Sequence, residues 1–223
     1  MSLVLYKMDT SPPANAVRML ADIIGLKLQL KDVDFLKMEH KSPEYLKLNP
    51  IGAIPTFVDN DFVVSDSHAI MIYLLTKYGK DKAETLYPSE LRARTLVNQV
   101  MFFNTGVFFI RLKEVALPAL FGNATGPTEK NISQIQDSYS VLEAYLETRK
   151  YLAADWITIA DLAVVATAVA VRKIHDLDSA KYPRTIDWLS RMEKESFCSR
   201  ILPTSADNLE KVMIMVWENN KKK

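Results

Sequence analysis

The chain has 223 residues, of which 48% are hydrophobic and 25% are charged, and its formal net charge is +1. This length suits one large domain or two modest ones, and the composition is typical of a globular, helix-rich protein. The nearly balanced charge gives no reason to expect nucleic acid or an anionic membrane surface as a partner.

The sequence also lacks the patterns of membrane, secreted and metal-binding proteins. No apolar stretch reaches the roughly 18–20 residues that span a bilayer, and no secretory signal pattern precedes the first elements. The single cysteine, Cys198, excludes an intramolecular disulfide framework. The histidines, His40, His68 and His175, are too scattered for a metal site. We therefore expect a cytoplasmic protein that holds no metal ion.

The first 79 residues alternate short extended runs with helical segments. The predicted strands are the run that begins at Leu3, then Leu28–Val33, Thr56–Val58 and Phe62–Val64, the last two joined by a hairpin turn at Asp59–Asp61. The predicted helices follow Ser11, span Pro43–Leu48, and run from Ser65 or Asp66 to Tyr78, where Gly79 is the expected stop. The order βαβαββα implies a small mixed sheet with helices packed on it.

An all-helical half is predicted to follow a polar linker at residues 80–88. The helices of this predicted five-helix domain are Ser89–Phe121, Thr128–Thr148, Thr158–His175, Tyr182–Glu195 and Ala206–Asn220. The third of them is very apolar and begins with Thr158-Ile159-Ala160-Asp161, which has the spacing of a capping box. We expect this helix to be the buried centre of its half.

Ser11 precedes two prolines at the start of the first predicted helix. Proline fits the first turn of a helix, where its missing N–H would have no partner, and serine is a preferred N-cap. The Ser11 hydroxyl is thus predicted at the positive end of a helix dipole, where it can cap the helix or hold an anion. For this motif alone, capping is the more common role.

Two further polar segments are predicted at the same end of the sheet, where α/β folds place ligands. The backbone of Ile54, before Pro55, could pair with an extended peptide. At the start of the next helix, Ser67 offers a hydroxyl and nearby N–H groups to a carboxylate, while Asp66 could bind an ammonium group. Together they suit the α-amino acid end of a small peptide. An ordinary N-cap pair is the alternative interpretation.

The combined motifs resemble those of the cytosolic glutathione transferases, and most closely the insect delta and epsilon classes, the epsilon class in particular. The motifs are Ser11-Pro12-Pro13, Glu39-His40, Leu48-Asn49-Pro50, Ile54-Pro55, Asp66-Ser67-His68-Ala69-Ile70, Tyr78-Gly79-Lys80, Leu86-Tyr87-Pro88 and Thr158-Ile159-Ala160-Asp161. The resemblance implies a thioredoxin-like N-terminal domain at residues 1–79, a linker at 80–88, an all-helical C-terminal domain at 89–223, and a homodimer. It also implies that the peptide bond before Pro55 is cis.

The resemblance implies that glutathione is the co-substrate, and it implies roles for individual residues. Ser11 matches the catalytic serine, whose hydroxyl donates a hydrogen bond to the sulfur of glutathione. Ile54, with Pro55, matches the residue that pairs its backbone with the cysteinyl unit. Asp66 and Ser67 match the residues that bind the γ-glutamyl unit, with His68 beside them. His40 matches a histidine near the glycyl end.

Two positions depart from the family pattern. The chain has Asn49-Pro50-Ile51-Gly52-Ala53 where these classes usually read Asn-Pro-Gln-His-Thr, so the histidine expected at the glycyl carboxylate is absent. Its loss would cost roughly 1.5–3 kcal/mol of binding unless backbone N–H groups or His40 compensate. Restoring a histidine at position 52 is therefore expected to tighten binding. Asn15 also stands where an arginine is common.

A stripe on the first long helix of the second half is the candidate wall of a second-substrate pocket. Its residues fall on one helical face and comprise Phe109, Leu112, Lys113, Ala116 and Leu120, and the last helix could close the pocket with Leu209 and Met213. Such a stripe is commonly core. The resemblance places it beside the sulfur, where an apolar wall with one cation would hold a hydrophobic electrophile.

These observations favour a glutathione transferase that conjugates the glutathione thiolate to hydrophobic electrophiles in detoxification. A non-catalytic carrier on the same fold is an alternative, because a fold does not by itself establish an activity. A glutathione-dependent isomerase or peroxidase is a further one, since it would use the same thiolate on other substrates.

Overall fold

The structure is a computed structural model that describes residues 3–223. A four-stranded mixed sheet forms its N-terminal half from β1 (Leu3–Lys7), β2 (Gln29–Asp32), β3 (Thr56–Asp59) and β4 (Phe62–Ser65). The strand order is β2-β1-β3-β4, with β1 parallel to β2 and antiparallel to β3, and β3 antiparallel to β4. This confirms the predicted thioredoxin-like arrangement.

Three helices accompany the sheet, α1 (Pro12–Ile23), α2 (Pro43–Leu48) and α3 (Ser67–Tyr78). Helices α1 and α3 pack against each other and against the sheet through fully buried side chains that include Val17, Leu20, Ile70 and Leu74. Burying an aliphatic side chain of this size contributes about 1.5–3 kcal/mol, so this packing holds the two helices against the sheet. Both N-termini therefore stand at defined points beside the sheet.

The end of β3 carries a buried carboxylate that links the sheet to α3. Asp59 accepts hydrogen bonds from the hydroxyls of Tyr73 and Tyr78 and from Nζ of Lys77, the last at 2.7 Å. Because Asp59 belongs to β3, the turn that was predicted to start there is shorter, with Asn60 in the left-handed region at φ 56°.

The segment predicted as a linker is partly helical. Gly79 ends α3 as predicted, but in the right-handed region at φ −71° rather than in a left-handed stop. The chain therefore continues through a 3₁₀ turn at Lys80–Lys82 and the one-turn helix α4 (Ala83–Leu86), which Leu86 anchors in the core. The boundaries of the two domains and of the linker stay a prediction. The first two residues of the predicted N-terminal domain lie outside the described part of the chain.

The C-terminal half is helical, as predicted. Its helices are α5 (Leu91–Phe103), α6 (Phe109–Leu120), α7 (Glu129–Tyr145), α8 (Ile159–Arg172), α9 (Pro183–Lys194), α10 (Ser196–Ser199) and α11 (Leu202–Asn220). None of the helices within residues 3–223 is long and apolar enough to cross a membrane.

The prediction of five helices for this half needs correction at three points, the first being that the one-turn helix α10 was not predicted. The helix predicted over Ser89–Phe121 is interrupted by a π turn at Asn104–Phe108, which separates α5 from α6. Helical periodicity alone does not reveal such a turn, because the apolar pattern continues on both sides. The last helix begins at Leu202 rather than Ala206, since Pro203 occupies its first turn, where proline is tolerated.

Helix α8 is the buried centre of this half, as predicted: every residue except Val169 and Arg172 is buried. The capping box forms at its start, where Asp161 Oδ2 accepts from the Thr158 N–H at 2.9 Å. The other oxygen of Asp161 accepts from the Leu152 N–H and from Trp188 Nε1, each at 3.0 Å. Asp161 therefore also joins the preceding loop to α9.

Candidate active site

A cleft of about 520 Å³ lies between the sheet and the helical half. One wall comes from the loop after β1, the loop after β2 and residues 51–54, and the other comes from α6 and α11. Ligands of α/β folds bind at the carboxyl ends of parallel strands, and β1 ends at this cleft. The position and mixed lining of the cleft make it the candidate active site.

Ser11 lines this cleft as the N-cap of α1. Its Oγ accepts a hydrogen bond from the Ala14 N–H at 3.4 Å, which is longer than the usual 2.7–3.2 Å. A hydroxyl that accepts a weak bond keeps its proton, so the same group can cap the helix and donate to a ligand. The two roles that the sequence left open are therefore compatible.

Asn15 holds the loop that carries Ser11. Its side chain is fully buried, and Nδ2 donates to the Asp9 carbonyl at 2.9 Å and to Ser205 Oγ on α11 at 2.7 Å. The amide oxygen accepts from Arg18 at 2.9 Å. In the sequence, Asn15 is distinguished only as a departure from the family pattern, because this positioning contact joins residues far apart in the chain.

Ile54 lines the cleft, and its bond to Pro55 is cis, as the resemblance predicted. Among the described residues, neither the N–H nor the carbonyl of Ile54 has a hydrogen-bond partner. Its backbone is thus available to an extended peptide. Pro55 is buried behind the cleft and does not line it.

Asp66, Ser67 and His68 come together at the start of α3 but do not line the 520 Å³ cleft. Asp66 Oδ1 accepts from the His68 and Ala69 N–H groups at 2.8 and 3.1 Å, so its carboxylate is an N-cap as well as a half-exposed anion. Ser67 is the first residue of the helix. These residues are candidates for a subsite adjoining the cleft on the Ile54 side.

His68 points away from solvent towards the helical half. Its Nε2 lies 3.5 Å from Asn104 Nδ2 in the π turn, and its Nδ1 lies 3.6 Å from Asp66. Burial lowers the pKa of His68, although the neighbouring Asp66 carboxylate acts in the opposite direction. This geometry supports a positioning role for His68 beside Asp66.

His40 lines the cleft but is almost fully buried. Its ring stacks on Phe35 with centroids 4.1 Å apart, and Phe35 in turn contacts Phe121 at the end of α6. Burial lowers the pKa of His40, and the charge of Lys41 adds to the effect. A neutral, stacked imidazole is a poor substitute for the cationic contact that position 52 lacks.

Gly52 has a left-handed backbone conformation, which residues with a side chain rarely adopt. Its φ is +58°, and a Cβ at this position would lie 2.7 Å from the His40 carbonyl oxygen and 2.8 Å from Lys41 Nζ. The Lys41 ammonium also donates to the Ile51 carbonyl at 2.9 Å and lines the cleft. Lys41 was not predicted as a lining residue, because nothing in its local sequence pattern distinguishes it from a solvated lysine.

The predicted second-substrate stripe does face the cleft. All of its members line the cavity, namely Phe109, Leu112, Lys113, Ala116 and Leu120, and α11 adds Leu209 and Met213. Leu112 and Ala116 are buried while Lys113 is exposed, so the stripe is partly core and partly wall. Lys113 has no ion pair within the part of the chain that the structure describes.

Comparison with known proteins identifies the class. The model of the glutathione S-transferase N-terminal domain matches residues 1–76, and that of the C-terminal domain matches residues 114–195. The chain is 35% identical over 193 residues to glutathione S-transferase 1 of Manduca sexta, covering 86% of this chain and 88% of the relative. The chain therefore belongs to the glutathione S-transferase family.

Solved structures point to the insect branch of this family. An epsilon-class glutathione S-transferase from the housefly, Musca domestica, superposes with a TM-score of 0.93 at 36% identity, covering 96% of this chain and 98% of the housefly chain. A glutathione transferase homolog from Drosophila mojavensis, solved with bound glutathione, gives a TM-score of 0.88 at 32% identity over 98% and 97% of the two chains. This agrees with the resemblance to the insect delta and epsilon classes.

Proposed function

We propose that this glutathione transferase joins the thiolate of glutathione to hydrophobic electrophiles, with Ser11 as its catalytic residue. One observation carries the proposal: the Ser11 hydroxyl, at the N-terminus of α1, opens into the same cleft as the apolar stripe of α6. The nucleophile and an apolar electrophile can therefore meet in one cavity.

Activation of the thiol follows from the surroundings of Ser11. A hydroxyl donor and the positive end of a helix dipole both stabilise a thiolate relative to a thiol, which lowers the pKa of the bound sulfur. More thiolate at neutral pH means more nucleophile. In this scheme Ser11 donates to the sulfur and is not itself deprotonated.

The tripeptide is positioned by groups on the sheet half. The free backbone N–H and carbonyl of Ile54 suit the cysteinyl unit, which places the sulfur towards Ser11. The Asp66 carboxylate suits the γ-glutamyl ammonium group, and Ser67 with the N-terminus of α3 suits the γ-glutamyl carboxylate. This orientation keeps the electrophile side of the cleft free.

The electrophile would bind against α6 and α11. Lys113 is an exposed cation on α6 beside apolar lining residues, so it can stabilise negative charge that develops on an electrophile during attack. Aromatic and aliphatic neighbours such as Phe109 and Leu120 supply the apolar contact. We therefore propose an electrophile with an apolar body and an electron-withdrawing, polar end.

The oligomeric state and the cellular location of the protein can also be proposed. We propose a homodimer, because homodimers are typical of the family and because large apolar side chains such as Leu91 and Phe102 are exposed on the single chain. We also propose a cytoplasmic location, which the sequence analysis favours.

The ultraviolet absorbance of bound thiolate, measured against pH, tests the role of Ser11. The wild-type chain should hold glutathione with a thiol pKa well below its free value. Ser11→Ala should return that pKa towards the free value and lower kcat roughly a hundredfold, the scale expected for removing one preorganised donor.

Ser42→Ala is a matched control for Ser11→Ala. Ser42 caps α2 through a 3.2 Å bond from the Tyr45 N–H and does not line the cleft. This variant should lose a helix cap without changing the thiol pKa. Equal thiol pKa values in the wild type and Ser11→Ala would refute the catalytic assignment.

A further inference from the structure

We propose that Asn15 positions Ser11 for activation of the glutathione sulfur, and that its hydrogen bond to Ser205 makes this activation depend on the α11 wall of the cleft. The inference rests on the proposed function, because it concerns how the proposed catalytic hydroxyl is held. It assigns two positioning residues, Asn15 and Ser205, neither of which lines the cleft.

The partners of Asn15 determine how its amide group is turned. Arg18 can only donate, and its Nη1 lies 2.9 Å from Asn15 Oδ1. The Asp9 carbonyl can only accept, and it lies 2.9 Å from Asn15 Nδ2. The reversed amide would place a donor against a donor and an acceptor against an acceptor. Nδ2 is therefore also the donor to the Ser205 hydroxyl, at 2.7 Å.

The two bonds from Asn15 Nδ2 depend on each other. The side chain is fully buried, and Nδ2 has two N–H groups, one for the Asp9 carbonyl and one for Ser205 Oγ. A buried N–H without a partner is unfavourable. Loss of either acceptor therefore favours a shift of the amide, which weakens the bond that remains.

The bond to the Asp9 carbonyl holds the loop that ends at Ser11. Asp9 lies two residues before Ser11, and Asn15 lies about one helical turn after it on α1. Asn15 thereby ties the segment that enters α1 to the first turns of the helix. Within the described residues the Ser11 hydroxyl has only its long 3.4 Å bond from the Ala14 N–H. Its place in the cleft therefore depends on the position of this loop.

The bond to Ser205 reaches the opposite wall of the cleft. Ser205 lies on α11, four residues before Leu209, and residues at this spacing lie on one face of a helix. Leu209 lines the cleft, and so does Met213, four residues further along that face. The bond between Asn15 and Ser205 therefore holds the apolar wall of α11 in place relative to the loop of Ser11.

These contacts imply a joint effect on the sulfur and on the electrophile. A hydroxyl displaced from the sulfur stabilises the thiolate less well, and a displaced α11 wall positions the electrophile less well. Loss of the Asn15 amide or of the Ser205 hydroxyl should thus change the pKa of the bound thiol and the KM for the electrophile together. A residue that only stabilised the fold would change neither.

Thiolate absorbance of bound glutathione against pH, together with kinetics in which the thiolate displaces chloride from chlorodinitrobenzene, tests the inference. Asn15→Ala and Ser205→Ala should each raise the thiol pKa part of the way to its value in Ser11→Ala, and each should raise KM for the electrophile. We expect kcat/KM to fall about tenfold in Asn15→Ala, the scale of a misplaced catalytic group. The double variant should be no worse than Asn15→Ala, because both residues act through one hydrogen bond.

Two further variants separate this effect from a loss of stability. Asn220 is another buried asparagine, and its Nδ2 donates to the Ala119 and Ala124 carbonyls at 3.0 and 2.9 Å without lining the cleft. Asn220→Ala should lower Tm and leave the thiol pKa unchanged. Ser205→Thr keeps the accepting oxygen and should keep the wild-type thiol pKa.

The possible results distinguish the inference from the proposed function. If Ser11→Ala raises the thiol pKa but Asn15→Ala and Ser205→Ala do not, the positioning role is wrong while the proposed function stands. If Ser11→Ala does not raise the thiol pKa, it is the proposed function that fails. A shift in Asn220→Ala equal to that in Asn15→Ala would also overturn the inference, because the thiol pKa would then follow stability alone.

Discussion

Ser11 both caps a helix and lines the cleft, so in the proposed function one hydroxyl serves the fold and the chemistry together. Its oxygen accepts a long bond from the Ala14 N–H, and its proton stays available for the sulfur of a ligand. The supporting contact is Asn15, which ties the preceding carbonyl of Asp9 to Ser205 on α11. The position of the hydroxyl thus depends on both halves of the molecule.

The surroundings of Gly52 reverse one expectation drawn from the sequence. Gly52→His was expected to tighten glutathione binding by restoring a missing contact. The structure predicts the opposite result, because a residue with a side chain is strained at a φ of +58° and its Cβ would lie 2.7 Å from the His40 carbonyl oxygen. A left-handed non-glycine residue costs of order 1–3 kcal/mol in such a position.

Thermal unfolding and glutathione titration of Gly52→His measure the two effects. We expect a lower Tm and weaker binding than in the wild type. Gly106→His is a suitable control, because a Cβ at Gly106 meets nothing within 4 Å. Tighter binding by Gly52→His would show that a histidine can reach the glycyl carboxylate without disturbing Lys41.

At the scale of elements, the Asp59 cluster joins β3 to α3. Burial alone would raise the pKa of Asp59, but hydrogen bonds from Lys77, Tyr78 and Tyr73 outweigh it and lower the pKa to about 2. The unfolded value is about 3.9. The folded state is therefore favoured above about pH 4, and this contribution is lost as the pH falls towards 2.

Acid titration of the free energy of unfolding tests this linkage. Between about pH 4 and pH 2 the wild type should lose about 1–2 kcal/mol from Asp59, a modest value because Lys77 is half-exposed to solvent. Asp59→Asn should be less stable at neutral pH and should show a shallower decline in acid. Asp61→Asn, in the exposed part of the same turn, should follow the wild-type curve.

The elements also show what a sequence can predict. The order of strands and helices along the N-terminal half and the capping box at Thr158 and Asp161 were predictable, because each depends on residues close together in the chain. The Asn15 contact with Ser205 joins positions 190 residues apart, and the approach of Lys41 Nζ to position 52 depends on the backbone conformation of Gly52. Local patterns contain no information on either contact.

At the scale of the whole molecule, the exposed apolar side chains predict self-association. Phe102 on α5 is 66% exposed, which is unusual for a phenylalanine and suits a surface covered by a second copy of the chain. Phe102→Lys should shift sedimentation from twice the mass of one 25.3 kDa chain towards a single chain. Ile214→Lys, on α11, should leave the assembly unchanged. A monomeric wild-type protein would contradict the proposed homodimer.

The π turn at Asn104–Phe108 directly precedes α6, the helix that lines one wall of the cleft. A π turn holds about one residue more than an α-helical turn, and each residue of an α-helix advances the side chains by about 100°. The turn therefore sets the angle at which α6 presents Phe109, Lys113 and their neighbours to the cleft. Deletion of one residue from the π turn would rotate this stripe away from the cleft. The identity of every lining residue would stay the same. We therefore expect the shape of the cleft to depend on the length of this turn as well as on the side chains that line it.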